Sequence, residues 1–268
     1  MARPGVLVIS HGSHSAEWVR LVDQAVNEIN FITGIPLECS FLEIVEGRLI
    51  QDGIRNLEVQ GVTDILVVPL FISSGSTHID EISYAFGVIP EPALETEMTP
   101  FDLHARVHFC QPIDDDPDIA LILYEKVKVL SVKPEEEIVL LVGHGTKEKG
   151  FHAKWRKSLE SLAKRVKLLG GFDEVDVAML LPDQVVRKME WWKKHKPEHE
   201  VLVAPLFISE GYFTNKVIPD RLKGYNYKYK GFSILPSPLI TKWMKRQIDE
   251  MLRKLESRSQ KMDTQFDK

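Results

Sequence analysis

Three side chains able to bind a metal or accept a proton, His11, Glu43 and His78, each follow an apolar run directly or within a few residues. Imidazole and carboxylate groups suit a divalent first-row cation such as Fe(II), Co(II) or Ni(II), held with coordination positions left open. The same groups take protons, histidine near neutrality. The stretch LVVPLFISSGSTHIDE at residues 66–81 carries the third of them. Its apolar run, residues 65–72, lacks polar alternation, the mark of a strand buried on both faces. It then breaks into Ser73-Ser74-Gly75-Ser76-Thr77, a loop of small donors. Such a loop lets a flat ligand approach the backbone, whose N–H groups can receive anionic groups. In an open α/β sheet, ligands sit at the carboxyl ends of the strands. If the three runs are parallel neighbours, two imidazoles and one acid converge on a single rim.

The elements that must hold them there alternate. A strand at 6–10 ends in His11-Gly12-Ser13, and a helix from about Ala16 follows, with Trp18, Leu21, Ala25 and Ile29 at helical spacing. A second strand is predicted at 37–42, a helix at 48–59, and the third strand at 65–72. A short helix near 80–86 leads into a Pro- and Glu-rich loop, a fourth strand at 103–109 and a helix at 118–130. The pattern then restarts. Gly143-His144-Gly145-Thr146 matches Ser10-His11-Gly12-Ser13 at an offset of 133, and Ala204-Pro205-Leu206-Phe207-Ile208-Ser209 matches Val68-Pro69-Leu70-Phe71-Ile72-Ser73 at an offset of 136. Two landmarks in one order at near-constant offset mark an internal duplication. The predicted fold class is α/β: two tandem units, each a mainly parallel sheet flanked by helices, with a cleft between them. The units are placed at 1–132 and 137–256. The last helix is expected at 238–255, with a disordered polar tail at 257–268.

Composition narrows the classes. The hydrophobic fraction of 44% and charged fraction of 27% are those of a soluble globular protein. No run is long enough for a membrane span, and no signal peptide is apparent, so a cytoplasmic location is expected. The two cysteines, Cys39 and Cys110, lie in apparent strands and read as small buried apolar residues. The net charge of −5 is uneven: residues 1–133 carry 8 Lys and Arg against 20 Asp and Glu, and residues 134–268 carry 26 against 19. The basic helix near 154–167 keeps Trp155, Leu159, Leu162 and Val166 on one face, which makes it a cover for a sheet and not a nucleic-acid patch.

Taken together, VISHGS, the FLE that closes the second strand, VVPLFISSGSTH and Gln111-Pro112-Ile113 resemble the CbiX/SirB group of class II chelatases, in a long two-repeat form. The resemblance implies ATP-independent insertion of Co2+ or Fe2+ into sirohydrochlorin or a related precorrin, in cobalamin or siroheme biosynthesis. It implies His11 as proton acceptor and metal ligand, His78 as second ligand and Glu43 as acidic partner, all three as candidate catalytic and metal-binding residues, with Glu46 a rival to Glu43. No cofactor is expected beyond the metal substrate, Co2+, Fe2+ or Ni2+. The candidate substrate-binding groups are Ser10, Gly12, Ser13, Arg48, Ser73, Ser74, Gly75, Ser76 and Thr77. The substrate carries eight carboxylates, which an acidic first half repels, so Lys216 and Arg221 of the basic half are expected to clamp them. Neither nucleic acid nor membrane is an expected partner, and the duplication fits a monomer with a pseudo-dimeric repeat. The alternative is a tetrapyrrole or metal carrier that uses the same cleft without turnover.

The second half departs from this pattern. It keeps His144 but has Tyr212-Phe213-Thr214 opposite Ser76-Thr77-His78, and Leu180-Leu181-Pro182-Asp183 where a glutamate is wanted, so it reads as a degenerate, supporting site. His104 and His108 read as structural. Trp191-Trp192 reads as packing. Ser10 before His11 argues against a phosphohistidine enzyme, and no Gly-x-Ser-x-Gly elbow is present.

Overall fold

The computed structural model describes residues 2–266, apart from the side chains of 30–33 and 258–266. The chain forms two compact units. Unit 1 comprises residues 1–70, 78–112 and 241–268, and unit 2 comprises 71–77 and 113–240.

Unit 1 is built on a four-stranded parallel sheet. The strands β1 (Pro4–Ser10), β2 (Leu37–Phe41), β3 (Asp64–Pro69) and β4 (Arg106–Phe109) lie in the order β2-β1-β3-β4. Val6, Leu7, Val8 and Ile9 on β1 and Ile65 to Val68 on β3 are wholly buried, as expected of central strands covered on both faces. The helix α1 (Ala16–Thr33) buries Val22, Val26 and Ile29, and α2 (Ile50–Val59) buries Ile54 and Leu57. The helix α3 (Thr77–Ala85) starts earlier than its periodicity predicts, so His78 stands in its first turn and not in a loop. β3 ends at Pro69, short of the predicted Ile72, and β4 begins only at Arg106.

Unit 2 has a three-stranded parallel sheet in the order β6-β5-β7, from β5 (Glu137–Gly145), β6 (Glu174–Leu181) and β7 (Glu200–Pro205). Two long helices belong to it, α4 (Pro117–Lys128) and α5 (Lys149–Gly170), the latter burying Trp155, Leu159, Leu162 and Val166. On its other flank lie α6 (Val185–His195) and the short α7 (Ile218–Leu222). Trp192 is buried with its indole N–H donating to Asp176 at 2.9 Å, whereas Trp191 is half exposed and stacks on His195.

Compact units and sequence halves are different partitions of the chain. The last helix of the first half, α4, is part of unit 2. The last helix of the second half, α8 (Pro238–Phe266), is part of unit 1 from Thr241 onward. There Trp243, Met244 and Ile248 are buried, and the Thr241 hydroxyl donates to Glu28 at 2.8 Å. The backbone of α8 runs to Phe266, and 256–266 holds neither Gly nor Pro to stop it; 267–268, the end of the tail expected to be disordered, lie outside the described residues. Burial pushes the thiols of Cys39 and Cys110 up to about 12; Cys110 is buried as its reading as a small apolar residue expects, and Cys39 is partly buried.

At the amino end of the unit 1 sheet, Asp64 is buried beneath Arg106 (2.9 and 3.0 Å), His108 (3.0 Å) and Thr63 (2.8 Å). Burial acts to raise its pKa, but the hydrogen bonds from Arg106, His108 and Thr63 outweigh it and hold the carboxyl at about 2. A carboxylate depressed in the folded state stabilises above its unfolded pKa, and that contribution is lost as pH falls from about 4 toward 2. Asp64→Asn should therefore lower stability by roughly 2 kcal/mol at pH 7. In urea unfolding, the gap to wild type should narrow steadily below pH 4.

Candidate functional site

His11 follows the last residue of β1, and the backbone after it turns sharply. Gly12 has φ of +102°, a conformation side chains disfavour, and a Cβ placed there would lie 2.1 Å from the Glu43 carbonyl oxygen. This close approach lets Leu42 N–H donate to the Ser10 carbonyl at 2.8 Å and Glu43 N–H to the His11 carbonyl at 3.1 Å. Glu43 is thereby laid beside His11, with Oε1 3.6 Å from Nδ1. Only a residue without a Cβ fits this approach of the two strand ends.

His78 arrives from the other side of β1. β3 is hydrogen-bonded to β1, and Leu70 N–H donates to the Ile9 carbonyl at 2.7 Å, so the chain beyond β3 leaves from the same rim as His11. The imidazoles of His11 and His78 meet edge to face, with ring centroids 4.9 Å apart and planes at 77°. His78 Nδ1 lies 3.0 Å from Glu81 Oε2, and the other oxygen of Glu81 accepts from the Thr96 hydroxyl at 3.2 Å. An ionised carboxylate can only accept, so Nδ1 of His78 carries the proton and its lone pair is on Nε2. Among the described residues, no group of three or more His, Cys, Asp or Glu is placed to hold a metal ion together. The arrangement is thus two adjacent imidazoles with a carboxylate behind each.

A family model described as CbiX matches the chain twice, at residues 5–130 and 138–252. The chain belongs to the CbiX family. It is 28% identical to a sirohydrochlorin ferrochelatase of Priestia megaterium over 219 residues, covering 79% of this chain and 76% of that one. It is 26% identical over 137 residues to a sirohydrochlorin cobaltochelatase of Methanopyrus kandleri, a match that covers 46% of this chain and 94% of the relative. In fold it is similar to SirB from Bacillus subtilis with Fe3+, with a TM-score of 0.71 at 20% identity, covering 92% of this chain and 95% of that one.

Other groups singled out in this CbiX sequence have partners within the protein or line a neighbouring pocket. Ser10 is fully buried, with its hydroxyl 3.5 Å from the Leu70 carbonyl. The Ser13 hydroxyl accepts from Ser15 N–H at the start of α1. Arg48 is bound by both oxygens of Asp23, at 2.6 and 3.0 Å, and lies over the Phe41 ring. Glu46, the rival of Glu43, lines a neighbouring pocket of about 500 Å³ with His14, Arg20 and Asp23.

The serine loop has polar partners within the protein. Within unit 2, one oxygen of Asp114 accepts from Ser74 N–H (2.9 Å) and from the hydroxyls of Ser74 (3.1 Å), Ser158 (2.9 Å) and Ser73 (3.3 Å). A Cβ on Gly75 would meet the Phe151 carbonyl at 2.5 Å and the Trp155 backbone nitrogen at 2.8 Å. Small residues are needed there to pack against α5. Ser76 N–H donates to the Ser73 carbonyl, and Thr77 opens α3. Arg221 donates to the Leu180 carbonyl at 2.9 Å and faces Asp183 at 3.3 Å, and Lys216 pairs with Asp220.

Glu81 was not among the residues picked from sequence. The signal was its spacing, three residues after His78, which faces the two together only once α3 is known to begin at Thr77. Glu81→Gln should lower Co2+ affinity roughly 10–100-fold, read by calorimetric titration, because a neutral amide supports the basicity of the ring less than a carboxylate does and can also turn its NH2 group toward Nδ1.

Proposed function

We propose that this chain inserts a divalent metal, cobalt or iron, into sirohydrochlorin or a closely related tetrapyrrole. The observation that carries this reading is the edge-to-face pair His11 and His78 on one sheet rim, each imidazole backed by a carboxylate. Insertion must strip two pyrrole protons while handing over a cation that is held, but not enclosed. Two neutral imidazoles can present the metal substrate with most of its coordination sphere open. Glu43 and Glu81 orient the rings and offset positive charge as protons leave the macrocycle. Glu43 is then a partner of His11 and not a third metal ligand. His11 serves as a proton acceptor, with Glu43 3.6 Å away to offset the charge it gains. Ser73 and Ser74 bind substrate less directly than their composition suggests, since their hydroxyls face Asp114, and Gly75 N–H donates to the Ser73 hydroxyl at 3.0 Å. No helix is long and apolar enough to cross a membrane among the described residues, and the two free cysteines suit a reducing, cytoplasmic setting.

The test is a metal-insertion assay with purified protein, sirohydrochlorin and Co2+, Fe2+ or Ni2+ in parallel, followed by absorbance. Many turnovers per protein molecule are expected with at least one metal. A spectral change that stops at one equivalent without product release would make the protein a carrier.

A further inference from the structure

The rim of unit 2 repeats the geometry of the His11 rim with different side chains. His144 follows Gly143 as His11 follows Ser10, and Gly145 after it has φ of +72°. A Cβ on Gly145 would lie 2.5 Å from the Leu181 carbonyl oxygen, as one on Gly12 would lie 2.1 Å from that of Glu43. Leu206 N–H donates to the Val142 carbonyl at 2.8 Å, the counterpart of Leu70 and Ile9 at 2.7 Å. Phe207 and Ile208 carbonyls accept from Ile234 and Leu235, as Phe71 and Ile72 accept from Ile113 and Asp114. The ring facing His144 is Phe213, with centroids 4.7 Å apart and planes at 88°. That matches the 4.9 Å and 77° of His11 and His78. Direct alignment of the repeats pairs His78 with Thr214. The structure pairs it with Phe213, and the π-helical turn Phe213–Val217 absorbs the one-residue difference.

We propose that the unit 2 rim is a second metal-binding frame, intact in its backbone and its first imidazole, which two replacements, Leu for the acid and Phe for the second histidine, keep from taking up a divalent cation. His144 is already poised. Its Nδ1–H donates to the Gly145 carbonyl at 2.9 Å, which leaves the lone pair on Nε2. Phe213 and Leu181 are only partly buried, so polar side chains at both positions can reach water. The wild-type chain then holds one cation, at His11 and His78, and His144→Ala leaves that stoichiometry unchanged.

The inference rests on the reading that His11 and His78 hold metal, and calorimetric titration of the full chain with Co2+ separates the two. Wild type should bind one equivalent and H11A/H78A none; one retained equivalent in H11A/H78A would overturn the reading of the first site. Adding L181E and F213H to H11A/H78A should restore one equivalent, with affinity at least about tenfold above that of the H11A/H78A background. It should also give the visible Co(II) absorption of imidazole coordination. A folded quadruple variant, with wild-type circular dichroism and cooperative melting, that binds no better than the H11A/H78A background would overturn the inference. Should Leu181→Glu disturb the sheet end, F213H alone on that background decides: tighter Co2+ binding that is lost again on His144→Ala supports the frame, and unchanged binding refutes it.

Discussion

His78→Ala is expected to reduce metal insertion by roughly 10³-fold while leaving the fold intact. The imidazole is half exposed in the first turn of α3, so its loss opens no cavity. Its removal leaves His11 as a lone nitrogen donor, and a single imidazole binds a hydrated first-row cation weakly. It also frees Glu81, whose oxygens lie against His78 and Thr96. The variant should therefore lose both Co2+ affinity and turnover, with an unchanged melting temperature. Single-turnover assays at saturating metal separate the two effects. If the rate recovers fully at high metal concentration, His78 only gathers the ion; if a deficit persists, it also takes part in the proton transfers. Insertion at the wild-type rate under all conditions would remove the site assignment altogether.

Gly12→Ala should be the most damaging substitution outside the imidazoles. Its Cβ would fall 2.1 Å from a backbone oxygen, and no side-chain rotation relieves a clash with the main chain. The φ of +102° adds strain for any residue with a Cβ. Relief requires the Glu43 strand end to move away from β1, which breaks the hydrogen bond from Glu43 N–H to His11 and separates the acid from its imidazole. The expected cost is roughly 2–4 kcal/mol of stability and about 100-fold in insertion rate, since displacement by an ångström is enough for that. Gly47→Ala is the control. It shares a positive φ, +74°, but nothing lies within 4 Å of its added Cβ. It should lose about 1 kcal/mol and keep its activity.

How far the sequence could be read depends on the range of the interactions involved. His11, Glu43 and His78 were legible because unbroken apolar runs mark buried parallel strands, and the residues just past such a strand stand at the sheet's rim. The duplication was legible because two landmarks recur at nearly one offset. Glu81 was hidden by an error of three residues in the start of α3. The partners of the serine loop, Asp114, Phe151 and Trp155, were not legible, since none is nearby in sequence. A run of small residues looks the same whether it waits for a ligand or for a helix. The counterpart of His78 in the second half was misassigned by one position, since a π-helical turn leaves no mark in hydrophobic spacing.

The exchange of end helices bears on how the chain is made. The sheet of unit 1 is translated by residue 109, yet Trp243, Met244 and Ile248, which complete its packing, come from α8. On the ribosome the first four strands must wait, partly uncovered, while all of unit 2 is synthesised. Until α8 has been made, the apolar surface that Trp243, Met244 and Ile248 cover stays open to water, and a chain cut before α8 should therefore be prone to aggregation.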